Sequence, residues 1–299
     1  MPAFFKCSPY LYKSIACFMT INTICICGAG TMGRGIAQVA AQAGYHTILF
    51  DVHNEVLQLA AARLEKDLQQ LVDKNKMTPA AKEETLQHLR FTTDSNDCIA
   101  DIIIEAIVEK EAVKVGLFNQ LAELNHSETI FATNTSSLSV TAIAEKVMHP
   151  ERVVGMHFFN PAPVMKLVEV VATALTLPAI VQQVVALAKA MGKTPVVCKD
   201  APGFIVNHVA RPYYLEALRL VEAGHGNYAT IDAVMEASGF KMGPFKLMDL
   251  IGNDINYAVS CLVYDQLQQP LRLKPSIIQE QKVQSNELGK KTGKGYYQY

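Results

Sequence analysis

Tryptophan is absent from this 299-residue chain. So is any apolar run near the roughly 18 residues that a spanning helix needs, which excludes a transmembrane segment of that kind. Charge of one sign is not in excess: the formal net charge is −1. That argues against the broad basic face of a nucleic-acid binder, while a local basic patch for a phosphate-bearing small ligand stays open. The seven cysteines are odd in number and form neither a CxxC nor a Cys/His cluster. A zinc site and a disulfide scaffold are therefore not expected, and reduced thiols in a cytoplasmic setting are. There is no internal repeat and no low-complexity tract. What is present is a globular composition, half of it apolar, in a length that suits one large or two ordinary domains.

The first 18 residues, MPAFFKCSPYLYKSIACF, contain no acid and no Arg. Lys6, Pro9 and Lys13 break their apolar stretches, which weakens a signal- or transit-peptide reading. The expectation is a disordered extension from an upstream start codon, with Met19 as the functional start.

From Thr23 to Cys198 strand-like and helical runs alternate. TICIC is a β-branched strand, and GRGIAQVAAQAG a helix ended by Gly44. HTILFD is a second strand. Leu57, Leu64, Leu68 and Leu71 then recur at helical spacing, and Pro79 opens a further short helix. DIIIEAIV, TIFATN and TPVVC continue as strands, separated by helices over EAVKVGLFNQLAEL and the Ile180, Val184, Leu187, Met191 stripe. The alternation predicts a doubly wound, mostly parallel Rossmann-type sheet over residues 19–200. After KDAPGF the rhythm becomes helical. Pro and Gly cluster at Asp200–Gly203, so an all-helical second domain is expected over 201–299. Its surplus of apolar positions points to a homodimer interface, or to its own core.

CICGAGTMGRGIA places Gly28, Gly30, Thr31, Met32 and Gly33 in a GxGxxG turn between strand and helix. Gly28 permits the turn, Gly30 lets backbone N–H groups approach a pyrophosphate, and Gly33 lets helix and strand close up. Asp51 ends the next strand 18 residues after Gly33, where a ribose-binding acid belongs, and no basic residue follows it closely. The spacing predicts NAD rather than NADP. A glycine-rich structural turn beside a surface Asp would give the same letters without the ligand.

The stretch GMHFFNPAPVMKLVEVV breaks the parallel rhythm. Two apolar strands, Val153 to Phe159 and Leu167 to Val171, are joined by NPAPVMK, too short a link to cross over, so they should pair antiparallel. His157 and Glu169 stand symmetrically about Pro163 and would face each other, about 5 Å between Cβ atoms. Such a pair makes an acid/base unit in which the carboxylate orients the imidazole. Outward polar positions on an edge strand are the alternative.

Seven motifs in order, GAGTMGRGIAQ, EAIVEKEAVK, NTSSLSVTAIA, GMHFFNPAPVMKLVEVV, KDAPGFIVN, GPFKLMDLIG and KTGKGYYQY, resemble the 3-hydroxyacyl-CoA dehydrogenase family, above all its bacterial 3-hydroxybutyryl-CoA members. The likeness runs from about Thr20 to Tyr299. It implies oxidation of a (3S)-3-hydroxyacyl-CoA thioester with NAD. By position it makes His157 the base and Glu169 its partner, and sets Ser136 and Asn207 at the reacting oxygen. Glu109, Lys114, Asn134, Asn160 and Lys291 fall at family positions near NAD, and Lys74 at one that contacts CoA. Read alone, Glu109, Lys114, Lys291 and Lys74 would pass for solvated charges. Two departures, His208 for a common Arg and Lys246 for a common Glu, bear on substrate preference or interdomain contacts. A 3-hydroxyadipyl-CoA enzyme of aromatic catabolism and a non-catalytic NAD-binding homologue are the alternatives.

Overall fold

The structure, a computed structural model, describes residues 20–299. The expected extension and Met19 lie outside the described residues. Eight strands form one sheet in the order β3-β2-β1-β4-β5-β6-β7-β8. They are β1 (Thr23–Cys27), β2 (His46–Phe50), β3 (Leu89–Thr92), β4 (Ile102–Glu105), β5 (Ile130–Thr133), β6 (Val153–Phe158), β7 (Leu167–Ala172) and β8 (Thr194–Lys199). All neighbours run parallel except β6 and β7.

The central strands are almost continuously apolar because both faces are covered. Along β1, Ile24 and Ile26 join the core on one face, while Cys25 and Cys27 join the core on the other. That is the period-2 alternation of a strand. Helices α1 (Thr31–Gln42), α2 (Asn54–Asp73), α3 (Pro79–Gln87), α4 (Glu111–Leu124), α5 (Val140–Ala144) and α6 (Pro178–Ala190) flank the sheet. Leu57, Leu64 and Leu68 of α2 are buried, as their spacing predicts, and Leu71 is partly so. Strand β3 and the single-turn α5 are elements that the sequence reading did not expect.

Two glycines are demanded by close approach. A Cβ on Gly33 would stand 1.7 Å from the Gly28 carbonyl oxygen, and one on Gly155 would stand 2.6 Å from Val171 Cβ. The first lets α1 leave the loop at once; the second lets β6 and β7 close against each other.

Beyond β8 the chain is helical: α7 (Val206–Glu222), α8 (Tyr228–Ala237), α9 (Pro244–Ile251), α10 (Asn253–Gln266) and α11 (Ile277–Gln284). They surround a separate core of Tyr214, Leu215, Leu218, Phe245, Met248 and Val263. Buried Asp249 accepts the backbone N–H groups of Tyr296 (2.9 Å) and Tyr297 (3.0 Å), which ties the C-terminal segment down. No helix among the described residues is long and apolar enough to cross a membrane.

Candidate active site

The first part of the site is the turn from β1 into α1. Gly28 has φ +101°, and a Cβ there would meet the Ala106 carbonyl oxygen at 2.6 Å. Gly30, by contrast, has open space where a Cβ would project. No side chain caps α1, so the N–H groups of its first turn are left without a capping partner. The arrangement fits an anionic pyrophosphate. Asp51 follows β2; its two carboxylate oxygens accept from Ala29 N (2.9 Å) and His53 N (3.0 Å), which anchors the acid to the loop. Each oxygen keeps a lone pair for a ribose hydroxyl.

The second part lies beyond β4 and β5. Lys114 is buried, with Nζ 2.6 Å from Glu105 Oε1 and 3.0 Å from Glu109 Oε2. It is not the solvated charge that a bare reading of its helix would make it. Glu105, fully buried, also accepts from Thr133 Oγ1 (2.7 Å) and Ile107 N (2.8 Å). Burial pushes its carboxyl above the ordinary carboxylate range, outweighing the Lys114 charge. At Glu109 burial also pushes upward, but the Lys114 charge and hydrogen bonds from Thr135, Lys114 and Ser137 hold the group below that range. Glu109 Oε1 accepts from Ser136 N (3.1 Å) and Ser137 Oγ (3.0 Å), so it shapes the loop that presents Ser136. The Ser136 hydroxyl makes no hydrogen bond among the described residues. Asn134 donates its backbone N–H to Glu105 O and accepts from Phe158 N, both at 2.8 Å, which aligns the ends of β4, β5 and β6. Glu105 was missed by the sequence reading.

The third part is the hairpin. His157 and Glu169 are register partners across β6 and β7, and His157 Nδ1 lies 2.8 Å from Glu169 Oε2. Both are buried, at 5% and 1% exposure. Glu169 Oε1 faces the other way and accepts the backbone N–H groups of Ile205 and Val206, each at 2.9 Å. The carboxylate therefore caps the N-terminus of α7, where the helix dipole favours it. Burial pushes its pKa up, yet the His157 hydrogen bond, the Val206 and Ile205 N–H groups and the His157 charge together hold it below the ordinary range. In the first turn of α7, Asn207 Nδ2 donates to Ser136 O at 3.3 Å. The hairpin link packs on α1: a Cβ on Gly35 would sit 3.1 Å from Pro163 Cδ and 3.2 Å from Ala162 Cβ. So His157, Glu169, Ser136 and Asn207 gather where β5, β6, β7 and α7 converge. The carboxyl ends of β1 and β2, with the glycine turn and Asp51, belong to the same sheet edge, where such folds hold ligands.

Other expected site residues fall farther out. Asn160 is exposed just past β6, and Lys74 is exposed at the end of α2. Lys291 pairs with Asp254 at 2.7 Å inside the helical part, rather than with any loop of the sheet. His208 Nδ1 lies 3.0 Å from the Pro202 carbonyl, and Lys246 pairs with Glu236 at 2.9 Å.

An open sheet with a glycine turn, free helix N–H groups and an acid after β2 defines an NAD-type dinucleotide-binding Rossmann fold. Residues 23–201 match the 3-hydroxyacyl-CoA dehydrogenase NAD binding domain, and residues 203–299 the C-terminal domain of the same enzymes. The chain belongs to the 3-hydroxyacyl-CoA dehydrogenase family. It is 46% identical over 283 residues to an Escherichia coli 3-hydroxyadipyl-CoA dehydrogenase, covering 94% of this chain and 60% of that relative. Among solved structures, a 3-hydroxybutyryl-CoA dehydrogenase from Escherichia coli K12 superposes with a TM-score of 0.91 at 46% identity, covering 94% of this chain and 60% of the other. The (S)-3-hydroxybutyryl-CoA dehydrogenase from Ralstonia eutropha does so with a TM-score of 0.89 at 36% identity, covering 94% and 99%. This chain thus spans about 60% of the length of the Escherichia coli proteins it matches.

Proposed function

We propose that the protein oxidises short-chain (3S)-3-hydroxyacyl-CoA thioesters to 3-oxoacyl-CoA, in the manner of a 3-hydroxybutyryl-CoA dehydrogenase. The observation that carries this reading is the His157–Glu169 pair at 2.8 Å, set between β6, β7 and α7 beside Ser136 and Asn207. NAD, when bound, supplies the acceptor for the hydride from C3. Because Nδ1 of His157 donates to Glu169, Nε2 is the nitrogen left to take the hydroxyl proton. Glu169 stabilises the imidazolium that results. The Ser136 hydroxyl and the Asn207 amide donate to the substrate oxygen as charge develops on it. A positioned base contributes about 10²–10⁴-fold to such a step. Gly28, Gly30, Thr31, Met32 and Gly33 hold the pyrophosphate and Asp51 the ribose; Glu109, Lys114 and Asn134 set the shape of the neighbouring loops.

The division near residue 200 separates a cofactor part from a helical part that completes the substrate site and carries the interface of a homodimer. Exposed Val209, Val234, Leu250 and Ile255 on helices support the dimer reading. Lys74 suits a CoA phosphate as a point charge, and a cytoplasmic location fits the unpaired thiols. A second reading, a 3-hydroxyadipyl-CoA dehydrogenase, draws support from the name of the relative at 46% identity. The experiment is NADH absorbance with 3-hydroxyacyl-CoA esters of increasing length and of both configurations. Turnover confined to (3S) short-chain esters is expected. No NADH from any of them, with NAD still bound, would instead mark a non-catalytic homologue.

A further inference from the structure

Glu105 ends β4, fully buried, and takes no part in the proton transfer proposed above. Its two oxygens face donors. Oε1 accepts from Lys114 Nζ (2.6 Å) and Ile107 N (2.8 Å), and Oε2 accepts from Thr133 Oγ1 (2.7 Å). Thr133 Oγ1 itself accepts the N–H of Thr135 at 3.3 Å, so its own hydrogen is free for Glu105. A protonated acid would set its hydrogen against one of these donors, so the surroundings hold a carboxylate. Burial raises the group above the ordinary range, and the Lys114 charge and the hydrogen bonds oppose that rise. Lys114 is therefore shared: its Nζ lies 2.6 Å from Glu105 and 3.0 Å from Glu109. Were Glu105 neutral, Lys114 and Glu109 would form a balanced pair. With Glu105 ionised, two carboxylates face one ammonium and the cluster is anionic. Glu109 is the member that reaches the surface, its side chain 38% exposed against 0% for Glu105 and 1% for Lys114. The next charges along the chain leave it so: Lys110 is exposed, where water and salt screen it, and Glu111 pairs with Lys146.

The strand order places this charge. Asp51 follows β2, on one side of the glycine turn after β1, and His157 lies on β6, on the other side. A dinucleotide whose ribose meets Asp51 and whose reacting end meets a substrate at His157 has to pass the ends of β4 and β5, where the cluster sits. Ala106 and Ile107, directly after Glu105, abut the turn itself: a Cβ on Gly28 would stand 2.6 Å from Ala106 O and 3.1 Å from Ile107 N. Neighbouring strands are about 4.8 Å apart, so β4 lies laterally within about 10 Å of every point between β1 and β6. The nicotinamide ring of NAD carries a positive charge that the ring of NADH lacks.

We propose that Glu105, by taking up the Lys114 charge, keeps the crevice anionic and so shifts the binding preference of the site toward the oxidised cofactor and away from the reduced one. This inference rests on the dehydrogenase reading above and deepens it. A site tuned in this way captures NAD and lets NADH go, which suits alcohol oxidation when departure of the reduced cofactor limits turnover. Over about 10 Å, at an effective dielectric of about 20 to 40, one unit charge changes an equilibrium constant about four- to sixteenfold.

The test titrates each protein with NADH, followed by the fluorescence of the reduced cofactor, and with NAD by its displacement of NADH, in the absence of any acyl-CoA. The quantity read is Kd for NADH divided by Kd for NAD. Glu105→Gln should lower that ratio at least about fourfold. Thr133→Val takes one hydrogen bond from the same carboxylate and leaves its charge, so it should keep the ratio within about twofold of wild type. Taking the ratio within each protein cancels general damage. Equal weakening of both cofactor forms in Glu105→Gln, or an equal fall of the ratio in Thr133→Val, would mark a merely structural carboxylate and overturn the proposal. Should the glutamine variant not fold, Glu105→Met also removes the charge and leaves Lys114 its partner Glu109 at 3.0 Å, so no cation is stranded. The same fall is expected of it, and an unmoved ratio overturns the proposal while leaving the dehydrogenase reading intact. Failure of the folded wild type to bind either cofactor form would instead overturn the reading beneath it.

Discussion

Replacing Glu169 by Gln keeps the shape of the side chain and removes its charge. The carboxylate accepts three hydrogen bonds: one from His157 at 2.8 Å, and two from the Ile205 and Val206 N–H groups at 2.9 Å. A glutamine has only one acceptor oxygen. If that oxygen stays on the α7 N–H groups, the amide NH₂ faces Nδ1 of His157, and two donors meet. The imidazole escapes by moving its proton to Nε2, the nitrogen needed to take the substrate proton. Turnover should therefore fall by about 10²–10⁴, the worth of a general base. In serine proteases the corresponding acid-to-amide change, which leaves the wrong tautomer, costs about 10⁴. Hydrogen bonds to a charged acceptor contribute about 1–2 kcal/mol each more than neutral ones; relief from burying the charge offsets part of the sum over three bonds, so stability should drop by a net of about 1–3 kcal/mol. NADH absorbance gives kcat, urea unfolding gives the stability, and NAD titration should show affinity within about threefold of wild type, since Glu169 touches no part of the glycine turn. A variant with kcat within threefold of wild type would refute the tautomer reasoning.

Three further outcomes are expected. His157→Gln should cut turnover by at least about two decades while NAD affinity holds in a fluorescence titration; loss of NAD binding would remove His157 from the proton-transfer role. Asp51→Ala should weaken NAD without changing the order of acyl-chain preference, checked by KM for NAD alongside kcat/KM across esters. On acidification, Glu109 and Glu169 matter most, because both have folded-state pKa values held below the ordinary range. The stability they contribute is fully present above the unfolded Glu value of about 4.3 and is lost as pH falls through their folded values. Glu105, raised by burial, works with the opposite sign: it favours the fold below its unfolded value and that contribution disappears as pH rises. The urea midpoint of the wild type should drop on the acid side, and Glu169→Gln should flatten part of that drop; parallel curves would show that Glu169 carries none of it.

Much of the sheet could be read from local pattern. The hairpin register followed from a link too short to cross over, and β1 to α1 from glycines in context. Strand β3 escaped because LRFT is four residues of mixed polarity at the sheet's edge, exposed in part. The buried Glu105–Lys114 pair escaped for a different reason. Lys114 shares a helical stripe with Phe118 and Leu121, all buried. A charge on an apolar stripe was the available signal, yet helix α4 was read only by its outer face. Arg211 shares a stripe with Leu215 and Leu218 in the same way. The partners of Lys114, Glu105 and Glu109, lie on the preceding strand and loop rather than on the helix, and helical periodicity alone does not find them. Asn160, Lys74 and Lys291 rest on family position only; nothing in their local sequence distinguishes them from surface charges and turns.

The double duty of Glu169 has a mechanical consequence. The same carboxylate that steers the imidazole is bolted to the first turn of the helix bearing Asn207. A displacement of that first turn would therefore reach the imidazole directly, so the aim of the proton acceptor is tied to how the helical part is seated on the sheet.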